Sequence, residues 1–81
     1  MIIELYTRTS PPCAYCNNAK TLLKSKSMEY SEYVVGEDIT LERLKEAFPT
    51  AKTFPIVTID NEYIGGFNEL KNRLDLGGMS L

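Results

Sequence analysis

The first 35 residues hold a short apolar run, a helix-spaced run and a second β-favouring run, and the chain's only two cysteines stand at the first junction. Ile2-Ile3-Glu4-Leu5-Tyr6 is nearly continuously apolar and predicts a central strand covered on both faces. Thr7 to Pro12 reads as a loop, because Pro12 lacks an N–H and suits a boundary. From Cys13 to Lys26 the spacing predicts a helix with Cys16, Ala19, Leu22 and Leu23 on one side, and Lys24 and Lys26 suit the negative end of its dipole. Met28 to Val35 predicts a second strand, stopped by Gly36 and parallel to the first through a right-handed crossover.

The remainder continues the alternation. Thr40 is placed to cap a second helix with Leu41, Leu44, Ala47 and Phe48 on its apolar face, ended by Pro49. Ile56-Val57-Thr58-Ile59 is a strand that Asp60-Asn61-Glu62 turns back into Tyr63-Ile64 as a hairpin. Gly65-Gly66 then leads to a last helix with Phe67, Leu70 and Leu74 inward and Gly77-Gly78 closing it. The order β-α-β-α-β-β-α predicts an α/β fold, a four-stranded mixed sheet flanked by three helices, in one domain over residues 1–81.

A net charge of −2 argues for neither nucleic acid nor a membrane surface as partner. The charge is unevenly spread. Arg8, Lys20, Lys24 and Lys26 surround the cysteines, whereas Glu29, Glu32, Glu37, Asp38, Glu42 and Glu46 follow them. No apolar run approaches the roughly 20 residues that cross a bilayer, and Glu4 interrupts the N-terminal one as no signal peptide would. The expectation is a cytoplasmic monomer, where a lone cysteine pair is seldom a structural staple. A bridge across two intervening residues would in any case constrain the unfolded chain little.

Cys13 and Cys16 therefore point to chemistry. A thiolate is the reactive form of cysteine, and a sulfur at a helix start faces free backbone N–H groups and the positive end of the dipole. Cys13 occupies that position, with Arg8 upstream as a further positive charge, and is expected to be the nucleophile. Cys16, one turn further in, is expected to be more covered and placed to resolve a mixed disulfide at Cys13. A Cys-x-x-Cys beside a βαβ pattern reads as a thioredoxin-like redox motif. The competing readings are half a metal site and two inert core cysteines. The chain has no histidine and no second cysteine pair to complete a zinc site.

Across nearly its whole length the chain resembles the glutaredoxin family. Cys13-Ala14-Tyr15-Cys16 is similar to its dithiol site, usually Cys-Pro-Tyr-Cys; Thr53-Phe54-Pro55 to its Thr-Val-Pro segment; and Gly65-Gly66-Phe67-Asn68 to its Gly-Gly motif. The resemblance implies a thioredoxin-like fold, a cis peptide before Pro55, and glutathione-dependent exchange with protein disulfides and glutathione mixed disulfides. It further implies no tightly bound cofactor, glutathione as co-substrate, and clients that in the family include ribonucleotide reductase. Position by position, it implies that the Phe54 backbone pairs with the cysteinyl unit of glutathione, beside Thr53. Phe67 N–H and Asn68, after Gly66, would hold the γ-glutamyl end. Arg8 or Lys52 would meet the glycine carboxylate, and Tyr15 would shield the thiols or contact the partner. Three features depart from the pattern: the Thr9-Ser10-Pro11-Pro12 loop is long, Asn68 replaces a frequent aspartate, and Ala14 replaces proline. In the family a non-proline residue at the last position is compatible with a [2Fe–2S] cluster held by Cys13 and glutathione in a dimer. A second alternative keeps the fold but draws electrons from a flavoprotein reductase.

Overall fold

A computed structural model describes residues 2–79, the last four of these by their backbone alone. Its elements are β1 (Ile3–Thr7), α1 (Ala14–Ser25), β2 (Ser31–Val34), α2 (Leu41–Ala47), β3 (Ile56–Ile59), β4 (Glu62–Gly65) and α3 (Phe67–Met79). The strands form one sheet in the order β2-β1-β3-β4. β1 runs parallel to β2 and antiparallel to β3, and β3 runs antiparallel to β4, so the sheet is mixed as expected.

Side chains alternate across a strand, so β1 presents two different faces. Ile3 and Leu5 point with Val57 and Ile59 into a core closed by Ala19 and Leu23 of α1 and Leu70 and Leu74 of α3. Glu4 and Tyr6 point the other way and stay half-buried, which corrects the expectation of a strand covered on both faces. On that side Tyr6 stacks on Tyr33 and meets Phe48, which in turn meets Tyr63. α2 is barely two turns long and covers this face only in part. Its buried residue is Leu44, with Phe48 half-buried just beyond, while Leu41 is 46% exposed and Ala47 is exposed. The wider apolar face predicted for α2 is thus two residues. Thr40 caps the helix as predicted, its hydroxyl accepting from Arg43 N–H at 3.2 Å.

Two other boundaries move for local reasons. The α1 chain leaves through a Schellman turn: Met28 N–H donates to Leu23 C=O and Ser27 N–H to Lys24 C=O, both at 3.0 Å. Ser27 takes the left-handed conformation (φ 56°) that glycine usually fills, and Met28 packs against the core near Leu23. Residues 28–30 are therefore spent on closing the helix, and β2 begins at Ser31 rather than Met28. At the other end α3 runs through Gly77 and Gly78 to Met79, so that glycine pair does not close it. Glycine weakens a helix by about 1 kcal/mol without forbidding it. The β3–β4 hairpin turns on Asp60 (φ 51°) and Asn61 (φ 67°), a pair suited to positive φ, and Glu62 already belongs to β4.

Candidate functional site

Cys13 is the N-cap of α1, with extended backbone (φ −125°, ψ 100°), and its Sγ accepts the Cys16 N–H at 3.1 Å. The sulfur fills the role of a capping serine oxygen, on a donor that the helix itself leaves unused. Cys13 and Cys16 are joined as a disulfide across one turn, with Cα atoms 5.3 Å apart. Cys16 is 2% exposed and Cys13 7%, so the inner cysteine is the more covered, as its position predicts. Among the described residues no group of three or more His, Cys, Asp or Glu side chains is placed to hold a metal ion.

Around Tyr15 of the Cys13–Cys16 turn, the loop before β3 and the start of α3 form a groove of about 230 Å³ lined by Tyr15, Thr53, Phe54, Gly66, Phe67, Asn68 and Glu69. Six of the residues singled out in the sequence therefore meet in one place. Tyr15 is 59% exposed and its ring lies 6.0 Å from that of Phe67. The Phe54–Pro55 peptide is cis, as the resemblance implies, and so is Ser10–Pro11, which nothing in the sequence reading anticipated. Pro55 is buried beneath the groove. Two hollows, of about 490 Å³ near Met28 and about 560 Å³ near Tyr33, are larger. Neither includes a residue of the Cys13–Cys16 turn, so size does not identify the site.

The Gly65-Gly66 turn has a steric reason to be glycine. A Cβ on Gly66 would lie 3.3 Å from the Pro55 carbonyl and 3.8 Å from Thr53 Oγ1, so the turn packs directly on the cis-proline segment. Gly65 sits at φ +127°, where a side chain is strained and would meet that of Glu69. Glu69 was not singled out in the sequence. Its Oε1 accepts the Gly66 N–H at 2.7 Å, capping α3 from the third helical position. The spacing Gly66-x-x-Glu69 is that of a capping box and was readable as such. Asn68 lies within the first turn of α3 rather than at its cap.

The two cations proposed for one role meet Phe54 in different ways. Arg8 is half-buried, with its guanidinium carbon 5.3 Å from the centre of the Phe54 ring. Its Nε is buried and makes no hydrogen bond among the described residues. Lys52 is exposed and lines an adjoining depression of about 110 Å³ that shares Thr53 and Phe54 with the groove and reaches Leu41, Leu44 and Phe48. Just before Arg8, the Thr7 hydroxyl donates to Glu32 Oε2 at 2.7 Å, and Lys20 Nζ donates to the same oxygen at 3.1 Å. Burial alone would raise the Glu32 carboxyl, but these two donors outweigh it and hold the pKa below its ordinary value.

A sheet of order β2-β1-β3-β4, with Cys13 of a disulfide-forming pair capping α1 and a cis-proline before β3, defines a thioredoxin-fold protein with a redox-active cysteine pair. The comparisons with known proteins narrow that class. The glutaredoxin family profile matches residues 3–64, and the chain belongs to that family, whose cysteine pair makes it a thiol–disulfide oxidoreductase. It is 34% identical over 70 residues to glutaredoxin 3 of Escherichia coli K12, covering 84% of this chain and 80% of that one. It is 35% identical over 63 residues to the hybrid peroxiredoxin hyPrx5 of Haemophilus influenzae, covering 78% of this chain but only 26% of that protein. Among solved structures, glutaredoxin 1 of Francisella tularensis, complexed with cacodylate, superposes with a TM-score of 0.74 at 27% identity, covering 93% of each chain. No helix among the described residues is long and apolar enough to cross a membrane.

Proposed function

We propose that the chain reduces protein disulfides and glutathionylated thiols at the expense of glutathione, in the cytoplasm. The observation that carries this reading is the groove that runs from Tyr15, beside the disulfide, along Thr53 and Phe54 to the Gly66–Glu69 turn. An extended tripeptide laid there has backbone partners at Phe54, N-terminal amides of α3 for its γ-glutamyl carboxylate, and Asn68 and Glu69 for its amine. Glu69 supplies the negative charge that Asn68 lacks.

In the forward direction the Cys13 thiolate attacks the glutathionyl sulfur of a mixed disulfide, and the client leaves as a thiolate that takes up a proton. A second glutathione thiolate then attacks the glutathionyl sulfur on Cys13, releasing oxidised glutathione and the free Cys13 thiolate. With a protein disulfide, the Cys16 thiolate attacks the client-bound Cys13 sulfur instead, leaving the Cys13–Cys16 disulfide seen here for two glutathiones to reduce. The helix N–H on Cys13 Sγ favours the thiolate in each step in which Cys13 attacks or leaves.

A coupled NADPH assay tests the electron source. With glutathione and glutathione reductase, NADPH consumption should depend on the protein. A flavoprotein disulfide reductase supplied alone should not replace them, and if it does, the glutathione reading fails.

A further inference from the structure

We infer that the depression beside the groove, edged by Leu41 of α2, is a docking site for protein clients. It takes an apolar side chain two positions after the client's reactive cysteine, with an acidic residue following. The inference deepens the glutathione reading above and rests on the orientation given there. In that orientation the cysteinyl unit pairs with Phe54 and the γ-glutamyl end lies toward Gly66 and Asn68. The chain beyond the cysteine therefore leaves past Phe54, over the depression of about 110 Å³ that shares Thr53 and Phe54 with the groove. Glutathione ends there in a glycine and has no side chain to offer. A protein client continues. Side chains alternate along an extended strand, so the second residue after the cysteine turns to the same side as the cysteine.

The depression suits such a side chain. Buried Leu44 and Ile56 and half-buried Phe48 line it together with Leu41, which is 46% exposed. Tyr15 and Leu41 are both large apolar side chains left in water, one lining each hollow, with Thr53 and Phe54 common to the two. A polypeptide crossing both hollows covers both side chains, which is favourable in proportion to the apolar area removed from water. The rim carries one sign of charge. None of the residues lining the depression is acidic, whereas Lys45 and Lys52 both line it and are exposed. The ion pair formed among the described residues is Lys20–Glu32, so no carboxylate described here neutralises either rim lysine. An acidic client residue supplies that charge, and a basic one is repelled.

The test uses end-blocked peptides whose cysteine is disulfide-linked to a chromophoric thiol. After the cysteine comes glycine, then leucine and glutamate; in the comparison peptides serine replaces the leucine or lysine replaces the glutamate. The Cys13 thiolate attacks the peptide sulfur, the peptide–chromophore S–S bond breaks as the Cys13–peptide bond forms, and the chromophore leaves as a countable thiolate. With the reduced, full-length protein in a single turnover, the leucine peptide should react roughly three- to thirty-fold faster than the serine peptide. Glutamate should be favoured over lysine by a few-fold, less so at high salt. Leu41→Ser should remove most of the leucine preference, and Lys45→Glu should narrow the charge preference. The mixed disulfide of glutathione with the same chromophore should react with Leu41→Ser as it does with the unaltered protein. Equal rates for the leucine and serine peptides, a preference for lysine, or a Leu41→Ser protein that keeps the leucine preference overturns the docking site. The glutathione disulfide reports on the glutathione reading by itself: release there no faster than without protein removes that reading, so the two failures are told apart.

Discussion

The groove and the end of β1 behind it are built in different ways. At the α3 end the shape is made by backbone: Gly65 at positive φ, Gly66 against the Pro55 carbonyl, and a Glu69 carboxylate closing the turn. Behind Phe54, at the end of β1, the structure is made by side chains: Arg8 lies over the Phe54 ring, next to an anchor in which Thr7 and Lys20 share Glu32. A backbone-built end tolerates few residues and stands or falls with the fold. A side-chain-built end can be altered with the fold intact.

The strongest way to break the backbone end is Gly65→Ala. The new Cβ would sit 2.5 Å from Glu69 Cγ at a φ of +127°. The expected cost exceeds about 1 kcal/mol, read as a lower denaturant midpoint at unchanged slope. Glu69→Ala removes the acceptor from Gly66 N–H and should cost about 1 kcal/mol, lowering Tm by several degrees. Glu69→Gln keeps an oxygen for the bond and should recover most of that loss.

The smallest effect belongs to the anchor beneath Arg8. Because the Glu32 pKa is lowered by folding, the stability it contributes is present above its unfolded value and is lost as pH falls through the folded one. Glu32→Gln should therefore destabilise the protein at neutral pH by well under about 1 kcal/mol, since the pair is partly exposed. It should also make the acid limb of the stability curve shallower. An acid limb unchanged by the substitution would show that the Thr7–Glu32–Lys20 contacts contribute nothing to holding the strand end.

The same contrast explains what could be read from the sequence. The element order, the Thr40 cap and the Gly65-Gly66 turn follow from local chemistry, because a β-branched run, a hydroxyl before a helix and a glycine pair each admit few conformations. Cys13 as a capping sulfur was legible for the same reason. The ends of β2 and α3 were not. Met28 looks like strand residue and helix-closing residue alike, and the Schellman turn decides between them only once Leu23 is packed. Leu41 and Ala47 have the right spacing for burial, yet α2 is too short to reach the sheet with all its apolar residues. The placement of Arg8 over the Phe54 ring depends on a contact made in three dimensions. No spacing encodes that. Glu69 was within reach, since its distance from Gly66 is a capping signal.

The central claim is that Cys13, not Cys16, is the nucleophile that takes up glutathione. Incubating the reduced Cys16→Ser protein with oxidised glutathione, then mapping the adduct by mass spectrometry, tests it. One glutathionyl group carried on Cys13 is the predicted result. A protein that stays unmodified under conditions where free cysteine reacts would contradict the account, as would a Cys13→Ser protein that gains the group on Cys16 just as fast.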